Sequence, residues 1–197
     1  MPTEADAPRV TATSRDELRG WLERHHADSD SIWLVTFKQG HPQYLPYDAI
    51  VEEALAFGWI DSQPRALDAT RSMRRLSPRS PTSKWSRKNR ERAEQLIATG
   101  RMTAAGQRMV DLAKESGTWT ALENVESGLV PDDLRAALRR HAGATANFRG
   151  FPPSSKRIIL EWIEAAKTAP TRRKRIEETA EKAARGIRAN HRPRGPA

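Results

Sequence analysis

Apolar positions along the chain change period several times, and each change marks an element. Leu18, Trp21 and Leu22, then His25, fall at helical spacing behind Ser14-Arg15-Asp16-Glu17, an S-x-x-E signal in which Ser14 and Glu17 satisfy each other's backbone donors. A helix ending near His25 or His26 is predicted. In SIWLVTFKQ, residues 31–39, Trp33, Val35 and Phe37 alternate with Ile32, Leu34 and Thr36, the pattern of a strand buried on both sides at its start. After a loop punctuated by Pro42 and Pro46, Ile50, Val51, Ala54 and Leu55 restore helical spacing over residues 47–57, and Gly58 stops that helix. Residues 59–67 and 70–77 then read as two strands of a hairpin, with Asp68 and Ala69 in its turn. Pro78, Pro81, Thr82 and Ser83 form a loop.

Beyond Ser86 only helices are predicted. Ser86 caps one running to about Thr99, with Ala93, Leu96 and Ile97 inward and Gly100 at its end. Thr103 caps the next, through Met109, Val110, Leu112 and Ala113, closed by Gly117. A short helix opens at Pro131 and Asp132. Ser154 or Ser155 leads into an amphipathic one carrying Ile158, Ile159, Trp162, Ile163 and Ala166, and Pro170 starts a last helix over residues 171–187. The predicted fold is α+β: a small mixed or antiparallel sheet with covering helices, followed by a helical C-terminal half. The expected organisation is a disordered tail over 1–13, an α+β domain over 14–100, a helical region over 101–189 and a second disordered tail over 190–197.

Composition narrows the chemistry. The chain has no cysteine, which excludes disulfides, thiolate metal sites and a cysteine nucleophile. No apolar run approaches the ~18 residues of a membrane span, and the opening MPTEADAPRVTATSRDE has neither the basic nor the apolar region of an export signal. Cytoplasmic localisation without membrane insertion is expected. The net charge of +9 is unevenly placed: residues 71–92 carry +8, residues 156–197 carry +7, and the remainder is −6. Such a field attracts polyanions.

The run FGWIDSQPR, then Asp68 and LSPRSPTSKWSRKNRERAEQLIATGRMTAAG, resembles the central block of the YdeI/OmpD-associated, bacteriocin-protection family. Upstream PYDAIVEEALAFGW and the C-terminal KRIILEWIEAAKTAPTRRKRI are similar to it too, although Pro170 stands where the family pattern has an acid. The resemblance is carried mainly by residues 57–89. It implies resistance to cationic antimicrobial peptides or bacteriocins and association with an outer-membrane porin, without an assigned reaction.

Within that stretch the candidate ligand-binding residues are Trp59, Asp61, Arg74, Arg79, Ser83, Trp85 and Asn89. Were the hairpin to fold under the Ser86 helix, Asp61 and Arg79 would meet near two indoles, and aromatic walls with a planar guanidinium suit an anion, a phosphate or a flat ring. The plainer reading makes Trp59 and Trp85 packing residues and Asp61 a structural ion-pair partner. No catalytic residue is assigned: Ser77, Ser83 and Ser86 have no histidine nearby in sequence and no G-x-S-x-G elbow. The histidines at 25, 26, 41, 141 and 191 lack metal-ligand spacing, so neither metal nor cofactor is expected. The leading expectation is a non-enzymatic stress or peptide-resistance protein with an anionic small-molecule or protein partner. An alternative is a sequence-nonspecific nucleic-acid binder using segments 71–92 and 171–194, with Lys84, Arg87, Lys88, Arg90, Arg172, Arg173, Lys174 and Arg175 on the phosphates. A third is an enzyme of unknown reaction.

Overall fold

A computed structural model describes residues 7–190. The chain forms two compact units that part between Ala121 and Leu122.

In the first unit a four-stranded sheet runs in the order β1 (Arg9–Thr11), β2 (Ile32–Phe37), β4 (Arg71–Pro78), β3 (Trp59–Ala66). β1 is parallel to β2, and β4 is antiparallel to both β2 and β3. Ile32 and Leu34 of β2 and Leu76 of β4 join one core with Leu18 and Leu22 of helix α1 (Arg15–His25) and Val51 and Leu55 of α2 (Tyr47–Ala56). Ala93 and Leu96 of α3 (Arg87–Ala98) and Val110 and Ala113 of α4 (Ala104–Glu115) complete it. Truncating any one of these leucines is a change of about 2–5 kcal/mol.

Polar groups fix how the helices dock. Glu53 of α2 is fully buried and accepts from Arg15 Nε at 2.5 Å, Arg19 Nη1 at 2.9 Å and Arg101 Nη2 at 2.7 Å, which ties α1, α2 and the α3–α4 turn to one carboxylate. The C-terminal carbonyl of Ala56 accepts from Thr103 N at 3.1 Å and Thr103 Oγ1 at 2.6 Å, so the start of α4 closes the end of α2. Gly106 sits in that contact: a Cβ there would lie 2.7 Å from the Leu55 carbonyl oxygen. Gly58, at φ +73°, makes the turn out of α2 that only glycine takes without strain.

The second unit is helical: α5 (Glu123–Glu126), α6 (Asp132–Arg140), α7 (Ala144–Gly150), α8 (Pro153–Glu164) and α9 (Ala169–Ala184). α9 packs against α6, α7 and α8, burying Ile176, Ala180 and Ala183 among Leu134, Leu138, Phe148, Ile159 and Ile163. Arg172 bridges Asp133 of α6, at 2.8 Å, and Glu164 of α8.

The predicted α+β architecture, with its mixed sheet, covering helices and helical C-terminal half, is what the structure shows. Details differ for physical reasons. Residues 9–11, inside the expected tail 1–13, form β1 because Trp33 N donates to Pro8 O and Ala12 N to Val35 O, a pairing supplied by β2. Residues 1–6 and 191–197 of the expected tails lie outside the described residues. The division falls after α4, not at residue 100, because Thr103 and Gly106 dock α4 on α2. Only half of the Ser14–Glu17 box forms: Ser14 Oγ accepts from Glu17 N, but the Glu17 carboxylate accepts from Thr13 N and Oγ1. Ile97, expected inward, is exposed, since the buried stripe of α3 is narrow, and Leu112 of α4 is exposed as well. Gly186, at φ +71°, turns the chain just after α9, leaving Ile187 exposed past its end. Helices α5 and α7 are additions to the predicted set.

Candidate anion-binding cleft

The hairpin builds the site through its register. Asp61 of β3 pairs with Leu76 of β4, and a shift between Asp61 and Pro64 then sets Pro64 opposite Arg74. Side chains alternate across a strand, so Arg74 shares the helix-covered face with Leu76 and lies beside Asp61. Arg74 Nη1 donates to Asp61 Oδ2 at 2.9 Å and to Ser62 O at 3.2 Å. The same Oδ2 accepts from Tyr47 OH, in the first turn of α2, at 3.1 Å. The Arg74 guanidinium also stands 4.5 Å from the Tyr47 ring centre, and Arg92 approaches that ring to 6.0 Å while pairing with Asp48. Partial desolvation of the phenol, then the neighbouring Asp61 charge, raises the Tyr47 pKa and keeps its hydroxyl a donor.

A cleft of about 220 Å³ opens over this cluster. Phe37, Tyr44 and Tyr47 give aromatic walls, Arg74 a cation, and Thr36 and Ser72 hydroxyls. Lys38 stands at the rim, its ammonium bonded to the hairpin-turn carbonyls of Asp68 and Ala69 at 2.7 and 3.2 Å. Tyr44 and Tyr47, the chain's two tyrosines, are exposed, although large aromatic side chains are favoured in cores. The cleft thus combines aromatic side chains with one guanidinium, the groups that contact a small flat anion.

The expected constellation divides among separate places. Asp61 and Arg74 come together, but Asp61 does not meet Arg79: its partners are Arg74 and Tyr47. Arg79 lies past the end of β4, with its guanidinium 3.9 Å from the Trp85 ring centre. Trp59 is a core residue whose indole donates to His26 O at 3.0 Å and meets Trp21 edge-on. Trp85 is buried beside Trp119. Ser83 contributes its carbonyl to Arg79, and Asn89 sits in the first turn of α3, its backbone N donating to the Ser86 cap and its side chain accepting from Arg92. The tyrosines and Phe37 were missing from the expected site. Their signal was the pair of tyrosines flanking Pro46 in QYLPYDA, Tyr44 in the loop and Tyr47 at the helix start, ahead of the apolar stripe of Ile50, Val51, Ala54 and Leu55.

Of the residues considered for nucleic acid, Lys84, Lys88, Arg173 and Lys174 are exposed. Arg90 is buried and donates to Trp119 O, Arg172 is held by Asp133 and Glu164, and Arg175 lies over Trp162 and donates to its carbonyl. Arg87 stands 3.8 Å from Glu91. Among the described residues no cluster of three His, Asp or Glu can hold a metal ion, and no helix is long and apolar enough to cross a membrane.

Fold and cleft together define an α+β module with a small polar and aromatic cleft, followed by a helical unit. The chain belongs to the family described as a domain of unknown function (DUF8412), whose model matches residues 10–109, and residues 129–186 match the model of the Bacteriocin-protection, YdeI or OmpD-Associated family. The cleft and hairpin thus fall in the first match. The second covers α6–α9, including the C-terminal segment whose resemblance was noted above; the central block that mainly carried that resemblance lies within the first. No curated protein and no solved structure matches the chain.

Proposed function

We propose that the protein is a non-enzymatic, cytoplasmic member of the bacteriocin-protection and stress-resistance type that works by binding a small planar anion in the Arg74 cleft. The observation that carries this reading is the Arg74 guanidinium, bonded to Asp61 and 4.5 Å from the Tyr47 ring centre, lining a cleft with aromatic walls. At about 220 Å³ the cleft is smaller than the roughly 300–1,000 Å³ of pockets for drug-sized ligands, which favours a single ring bearing one carboxylate. Such a ligand has on the order of ten heavy atoms, and ligand efficiencies put its dissociation constant between about millimolar and micromolar.

A screen of one-ring carboxylates by thermal shift and intrinsic fluorescence tests the reading. A benzoate-sized acid is expected to raise the midpoint of the wild-type protein and to leave Arg74→Met unaffected. A folded wild-type protein that ignores every anion in the screen, or an Arg74→Met variant that responds equally, would sink it.

A further inference from the structure

We infer a second anion site, independent of the Arg74 cleft, in which Arg79 holds a phosphate-type oxyanion beneath the loop of residues 80–85. Arg79 is only 4% exposed, yet two of its guanidinium nitrogens, Nε and Nη1, are buried with no hydrogen-bond partner. The third, Nη2, donates to Lys84 O at 2.7 Å and Ser83 O at 3.4 Å, and the plane lies on the Trp85 indole. The backbone pins the residue in place, since Arg79 N donates to Gly58 O at 2.9 Å.

An interior cation without a counter-charge is among the costliest arrangements in a folded protein. Glu53, the fully buried acid of the same unit, has three arginines on it. Arg79 has no carboxylate: burial lowers its pKa to about 10 with no opposing contribution, and the sequence holds no acid between Asp68 and Glu91 while carrying eight Lys or Arg there. Positions that break a local rule in this way tend to be functional.

The missing partner is an acceptor with negative charge. Nε and Nη1 lie on different edges of the guanidinium with Nη2 between them, so a phosphate takes one unsatisfied nitrogen together with Nη2, in place of a carbonyl contact; arginine is the preferred side chain for such a fork. A dianion also suits the exposed Lys84 and Lys88 nearby in sequence. The covering loop is a short strap: Ser83 N donates to Ser80 O at 3.0 Å, and the Ser80 and Thr82 hydroxyls pair at 3.0 Å. Ser80, Pro81 and Thr82 are exposed. The two carbonyls that hold Nη2, Ser83 O and Lys84 O, belong to this strap, so an anion reaches the Nη2 edge only when the strap moves.

Titration of the full chain with inorganic phosphate against chloride at equal ionic strength tests the site. Two readouts apply: the thermal midpoint, and the Arg79 Nε–H resonance in a ¹⁵N correlation spectrum of the wild-type protein. Phosphate is expected to raise the midpoint saturably and to shift the Arg79 resonance with the same dissociation constant. The rise is expected to vanish in Arg79→Met and to shrink in Arg79→Lys, which keeps the charge and loses the fork. An Arg79 resonance indifferent to phosphate would overturn the inference whether or not the variants fold. So would an equal midpoint response in Arg79→Met. Because Arg74→Met leaves this site intact, a phosphate response that survives in that variant separates the two sites.

Discussion

Replacing Glu53 by glutamine removes the one carboxylate that Arg15, Arg19 and Arg101 share. Breaking a buried ion pair from one side is a loss of about 3–5 kcal/mol. Here part of that is recovered: Arg15 keeps Glu52 at 2.8 Å, Arg19 keeps Glu23 at 3.3 Å, and the Arg101 side chain is 42% exposed. The expected loss is therefore about 2–3 kcal/mol, or roughly 10 °C in the midpoint at about 4 °C per kcal/mol. The pH dependence has a definite sign. Burial alone would raise the Glu53 pKa, but the bonds from Arg15, Arg101 and Arg19 outweigh it and hold the group below its usual 4.5. A depressed carboxylate stabilises the fold fully above its unfolded value, and that stability is lost as pH falls through the lower folded value. Urea unfolding followed by circular dichroism between pH 3 and 7 should thus show a steeper acid decline for the wild type than for Glu53→Gln, with the two curves converging at the acid end. A variant within about 0.5 kcal/mol of wild type at neutral pH, with a parallel profile, would refute this account of helix docking.

Other expectations follow from single contacts. Gly106→Ala places a methyl 2.7 Å from the Leu55 carbonyl oxygen and should destabilise by about 1–3 kcal/mol in chemical denaturation; a neutral result would mean that α4 does not dock as described. The Asp68 carboxylate, bonded first by the Arg71 side chain and then by the backbone N–H groups of Arg71 and Thr70, is expected to titrate at about 2 in a ¹³C NMR titration, with the turn loosening as pH falls through that value. A midpoint near the ordinary aspartate value would remove that turn from the account. If nucleic acid is not the ligand, gel shifts at about 50 and 200 mM salt should show no difference between wild type and the exposed-charge double variant Arg173→Glu/Lys174→Glu. Steeply salt-dependent binding lost in that variant would favour the nucleic-acid alternative.

Much of the fold was legible because local signals and burial agreed. Ser14, Ser86 and Thr103 each cap the helix they announce, Gly58 ends α2, and Asp68 turns the hairpin. β1 was not, since Arg-Val-Thr is too short to show a period and depends on β2 for its hydrogen bonds. Nor was the role of Glu53, which lies in the apolar run AIVEEALAF while its arginine partners stand 34 to 48 residues away. The same limit governs the site. Asp61 and the arginines of its hairpin were visible as chemistry, but which arginine it meets depends on cross-strand register. Alternation along β4 gives it Arg74, two residues before Leu76, and leaves Arg79 beyond the strand end. Tyr47 reaches the cluster only because α2 packs over that face of the sheet, a tertiary fact with no local signature.

The central claim is that the Arg74 cleft binds a small planar anion. Amide chemical-shift mapping of the wild-type protein during titration with benzoate tests it most directly. The account predicts saturable shifts concentrated at Thr36, Phe37, Tyr44, Tyr47, Ser72 and Arg74, absent in Arg74→Met. Shifts confined to other surfaces, or none up to tens of millimolar, would contradict it.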